Sequence, residues 1–130
     1  MFPVQQIAVT ALITAVVTAV LVGVVALLQR RRDGVCGVMG ARLGDILGDL
    51  GGVALAAGLG VLLWCLGANT PTLNNDPIPG VSPADVLSAP LAYVAVGVYL
   101  RLRGAAVSER LAIAPAVAAL VALIVNIVTI

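Results

Sequence analysis

Residues 7–28 read IAVTALITAVVTAVLVGVVALL, a run without a single charge. At about 1.5 Å per helical residue it reaches about 33 Å, enough to cross a hydrocarbon core of about 30 Å. The run is too long for the apolar part of a secretion signal, and no small-residue cleavage site precedes the RRRD at 30–33. It reads as a retained first membrane helix. Pro3 stands in front of it, where a missing N–H matters little.

The composition extends this reading to the whole chain of 130 residues. It is 62% hydrophobic and 10% charged, with a mean hydropathy of +1.17. Soluble domains are typically about 45–50% apolar and about 25% charged. A small water-soluble fold buries too little of its surface to hide this much apolar area, so lipid must be the solvent for much of it. The net charge of +1 and an aromatic content of 3% give no basic, ring-bearing surface for nucleic acid, whose bases need rings to stack on.

Three further spans follow. The second covers 43–66, with Gly67 as its stop. An extramembrane loop over 67–82 comes next, within GANTPTLNNDPIPGVSPAD (67–85), rich in turn-forming Pro, Asn and Gly. Ser82-Pro83-Ala84-Asp85 predicts a capped helix start: Ser82 caps, Pro83 takes the first helical position and Asp85 reaches back. The third span covers 83–103, with Pro90 as a kink site and Arg101 and Arg103 extending it by snorkelling. The fourth covers 108–130, capped by Ser108 and bent near Pro115. The fold class expected is an all-α integral membrane protein: one membrane domain over 1–130, a four-transmembrane-helix bundle with glycine-stripe packing on its second helix.

Charge placement sets the orientation. Arg30, Arg31, Arg32 and Arg42 lie between spans one and two, and Arg101, Arg103 and Arg110 between spans three and four. The N-terminal segment and the 67–82 loop hold no arginine, and the chain has no lysine. The positive-inside rule then predicts both termini outside, N-out and C-out, in a cell or virion membrane. Trp64 and Tyr99 fall at the outer and inner edges, as an aromatic belt requires. Cys36 and Cys65 fall on opposite sides, too far apart for a disulfide, and read as small apolar residues.

Span two carries the most distinctive pattern, GARLGDILGDLGG at 40–52. Gly40, Gly44, Gly48 and Gly52 are four residues apart, and Ala56 and Gly60 continue the series. Helices in lipid associate through close packing and interhelical hydrogen bonds, and small residues let backbones approach. A four-residue step drifts about 40° per repeat, so the groove winds and a partner should cross it at an angle. Span one offers a second small stripe, Ala11, Ala15, Ala19 and Gly23, beside Gln6, Thr10, Thr14 and Thr18. The partner is span one or another subunit. The polar row reads as packing glue, with a solute track as the sharper alternative.

Asp45 and Asp49 share a helix face, with Arg42 one turn earlier as a local partner. An ion or proton site is the functional reading, because intramembrane carboxylates are costly and often functional. The simpler reading puts both in the headgroup zone at a helix N-terminus. Tyr93 should lie near mid-membrane and seek a structural contact. Asp85 and Asn126 should sit near the outer edge, satisfied by water. There is no histidine or lysine, no phosphate loop and no metal-ligand spacing, so neither enzymatic activity nor a cofactor or metal is expected. The function expected is a structural or accessory subunit of a larger membrane assembly, with lipid and other subunits or itself as partners. A small channel or transporter using Asp45 and Asp49, or a holin-like pore former, is the alternative.

Overall fold

The computed structural model describes residues 2–32, 43–74 and 79–129. Among these the secondary structure is helical: α1 (Val4–Arg32), α2 (Leu43–Gly67), α3 (Pro83–Arg103), α4 (Ala105–Arg110) and α5 (Ala114–Thr129). Three helices are long and apolar enough to cross a membrane: Val4–Leu28 of α1, Gly44–Gly67 of α2 and Pro83–Arg103, the whole of α3.

The expected fourth span is not one helix. Gly104 ends α3 with φ +105, and its N–H bonds the Arg101 carbonyl. A positive φ suits glycine alone, since no Cβ collides with the backbone. Ser108 lies inside α4 and does not cap it. A turn at 111–113 separates α4 from α5. Pro115 occupies the second position of α5, so the chain breaks ahead of the proline instead of bending at it. Helix α5 has 16 residues, about 24 Å, short of the hydrocarbon core.

The α3 start follows its sequence signature. Ser82 accepts from the Asp85 N–H at 3.2 Å, and the Asp85 carboxylate accepts from the Ser82 N–H at 2.8 Å. Helix α3 then runs through Pro90 without interruption.

The four long helices form a ring. Helix α1 packs on α2 and α5, and α3 packs on α2 and α5. Their ends alternate. The Phe2 N–H donates to Asn69 Oδ1 at 2.9 Å, which sets the start of α1 beside the end of α2. The Trp64 indole donates to the Ala84 carbonyl at 2.8 Å, tying the end of α2 to the start of α3. Gln6 donates to the Thr129 carbonyl at 2.6 Å, closing the ring at α5. Both described ends of the chain and the start of α3 therefore share one end of the bundle. The last turn of α1, the first turn of α2 and the Arg101–Arg110 stretch share the other.

Large and small residues are sorted opposite to a soluble bundle. The buried face of α2 is Val53, Ala57, Val61 and Cys65; that of α5 includes Ala114, Ala118 and Ala122. Leucines point outward, among them Leu12, Leu55, Leu63, Leu102 and Leu120. Small residues inside let helices approach closely, and leucine outside suits a hydrocarbon solvent.

Candidate functional site

The glycine series on α2 divides in two. Among the described residues a Cβ at Gly44 or Gly48 would meet nothing within 4 Å, and the same holds for Gly51 beside them. These three glycines are exposed. A Cβ at Gly52 would overlap the Tyr99 phenol of α3, and one at Gly60 would come within 3.0 Å of the Ala95 Cβ. The drift of about 40° per four residues explains the division. The series starts on the outer face of α2, in line with the exposed Leu55 and Leu59, and winds onto α3 by Gly52. Gly40 lies outside the described residues.

Helix α1 meets α2 through another glycine. A Cβ on Gly58 would lie 2.9 Å from the Ala15 Cβ and 3.1 Å from the Ala11 carbonyl oxygen. Gly58 stands off the four-residue series, so a search confined to that spacing passes over it. Helical geometry supplies the missing signal, because Gly58 is about two turns from Gly51 and Ala57 flanks it on the buried face. Gly23 makes an ordinary contact with Leu50, whose Cδ1 would be 3.4 Å from an added Cβ. Ala19 is half-buried.

Asp49 is 3% exposed, and its partner is Arg103. The guanidinium donates to Asp49 Oδ1 from Nη2 at 2.7 Å and from Nε at 3.2 Å. An ionised carboxylate withdrawn from water needs such compensation. The pair links the first turns of α2 to the last turn of α3, and Tyr99 rests on Gly52 one turn away along both helices. Asp45, four residues earlier, is exposed. Arg42 lies outside the described residues, as does Cys36. Arg101, Arg103 and Arg110 are exposed at the same end of the bundle. The backbones of Arg30, Arg31 and Arg32 form the last turn of α1.

Inside the ring runs a polar row. Thr10, Thr14 and Thr18 are each 0% exposed. Thr10 donates to the Gln6 carbonyl and shares a 2.8 Å bond with the Thr129 hydroxyl, and Thr14 donates to the Thr10 carbonyl. Thr18 Oγ1 is buried without a partner among the described residues. The row therefore serves α1–α5 contact at its Gln6 end, and Thr129 is the residue that sequence reasoning missed there.

Two expectations about the end that holds the start of α3 are overturned. Asn126 is 0% exposed, and its Oδ1 accepts from the Cys65 thiol at 3.6 Å. Asp85 is 5% exposed. Neither is satisfied chiefly by water: Asn126 faces inward on the Ala118–Ala122 face of α5, and Asp85 is held in the capping box. Tyr93 faces outward at 52% exposure instead of making an interior contact. Trp64 and Tyr99 are half-buried between helices. Among the described residues no group of three His, Cys, Asp or Glu side chains could hold a metal ion.

No family model matches this chain, and neither a curated protein nor a solved structure does.

Proposed function

We propose that the chain is a multi-pass integral membrane protein acting, without enzymatic activity, as a structural or accessory subunit of a larger membrane assembly. In this reading α4 and α5 together make a fourth crossing. The arginine end lies in the cytoplasm and both termini lie outside, in a cellular or virion membrane. The asymmetry of arginine between the two ends supports that orientation.

One observation carries the assembly reading. The outer face of α2 is leucine from Leu55 onward, but it is glycine at Gly44, Gly48 and Gly51, where no described residue fills the space. Glycine gives lipid no contact that leucine would not improve, whereas a second helix gains a close backbone approach there. The face is a glycine zipper awaiting a helix from another subunit. Asp49 is already neutralised by Arg103, which weighs against its acting as the free carboxylate of an ion pathway.

The test is extraction from the native membrane in mild detergent, followed by native mass spectrometry. Other chains at a fixed ratio support the accessory reading. A pure homo-oligomer would move the weight to the channel or holin-like readings, and ion flux in liposomes with and without Asp49→Asn would then separate those two.

A further inference from the structure

We propose that the junction of α3 and α4 binds anionic phospholipid headgroups of the leaflet at the arginine end. The inference rests on the chain being membrane-embedded, as the preceding reading has it, but not on the identity of any subunit.

The argument starts from charge. The described segments that meet at this end carry Arg30, Arg31, Arg32, Arg101, Arg103 and Arg110 against Asp45, Asp49 and Glu109. Among the described residues the opposite end carries Asp85 and no arginine. The excess is therefore positive and confined to one end. Arg103 is in a salt bridge with Asp49, and its side chain is still 48% exposed. That pairing fixes the guanidinium beside the helix end without removing it from the surface. Arg101 and Arg110 are exposed.

Geometry then selects the depth. Leu102, between Arg101 and Arg103, is 82% exposed, beyond any other large apolar side chain described. Helix α4 follows at once and buries none of its residues. Val107 packs partly buried against the core, while Arg110 in the last turn is exposed. An apolar side chain projecting from the bundle, flanked by arginines with long apolar stems, suits the boundary between acyl chains and headgroups. Guanidinium groups at that depth match phosphate in both charge and fork geometry. Zwitterionic headgroups offer the same phosphate but cancel its charge, so the preference should be for lipids with a net negative charge. Attraction of about 1 kcal/mol per arginine near an anionic surface corresponds to about fivefold in affinity.

The full chain is incorporated in nanodiscs of equimolar phosphatidylglycerol and phosphatidylcholine, released, and its retained lipids are weighed by native mass spectrometry. The expected result is retention of phosphatidylglycerol over phosphatidylcholine by about fivefold or more. Arg101→Gln with Arg110→Gln should bring the ratio close to one, while Arg101→Lys with Arg110→Lys should keep most of it. Both positions are exposed, and circular dichroism checks that helix content is retained; should the double variant lose it, Arg110→Gln alone, outside the packed ring, gives the same reading at a smaller shift. Equal retention of the two lipids, or a ratio indifferent to the glutamine variants, overturns the proposal. So does loss of the preference on adding millimolar inorganic phosphate, which would mark a site for any anion. Resistance to alkaline extraction is measured on the same samples. A chain that resists extraction but shows no lipid preference fails only this inference, and a chain that is extracted fails the membrane reading itself.

Discussion

The two halves of the α2 glycine series have the same spacing and opposite surroundings. At Gly52 and Gly60 the missing Cβ is replaced by α3, and at Gly58 by α1. At Gly44, Gly48 and Gly51 no described residue comes within 4 Å of it. The filled half packs α2 against α1 and α3, and the open half meets none of the described residues. A small-residue repeat therefore reports that a close approach is possible. Which approach occurs depends on how far the helix has rotated by that point in the repeat.

Substitutions should separate the halves by size of effect. Gly58→Leu should be the most damaging to the fold, because its Cβ already confronts the Ala11 backbone, which cannot swing aside. We expect about 3 kcal/mol or more, read as earlier unfolding in a detergent–SDS titration. Gly52→Ala should follow at about 1–2 kcal/mol, since the Tyr99 ring can rotate away at the expense of its packing. Adding Tyr99→Ala should make the second change cheaper than it is alone, and a strictly additive double-mutant cycle would show that the two residues do not meet.

The Asp49–Arg103 pair sharpens the comparison at the boundary between the halves. Arg103→Gln leaves a buried carboxylate without its cation and should bring unfolding at a lower SDS fraction. Asp49→Asn leaves a half-exposed guanidinium that water and headgroups can reach, so its effect should be smaller. The reverse order in the same titration would mean that Asp49 is hydrated in the membrane. Gly48→Leu should change the stability of the isolated chain by less than about 0.5 kcal/mol, even though it adds far more volume than Gly52→Ala. Destabilisation comparable to Gly58→Leu would show that the outer face is packed by the chain itself.

Much of the frame was legible in the sequence because lipid imposes simple rules. A charge-free run marked α1 to within a few residues, the apolar stretch ending at Gly67 marked α2, and Ser82, Pro83 and Asp85 marked the start of α3. The break near the end of the chain was misread through Ser108 and Pro115. The decisive residue was Gly104, whose positive φ ends α3 and lets α4 begin at once. Partners were less legible than elements. Arg42 is the sequence neighbour of Asp45 and drew attention, whereas Arg103, 54 residues from Asp49, becomes its partner only through the antiparallel pairing of α2 and α3. Asn126 is expected near the outer edge, satisfied by water, but its position on the alanine face of α5 turns it inward against Cys65. Inward or outward placement follows from which face of a helix is covered, and apolar runs with little amphipathic contrast do not declare that face.

The open half of the series is tested most directly by native mass spectrometry of wild-type and Gly48→Leu protein extracted from the native membrane. The account predicts that wild type carries other chains at a fixed ratio and that Gly48→Leu loses them while remaining folded. Wild-type protein that travels alone, or companions retained unchanged by Gly48→Leu, would contradict it.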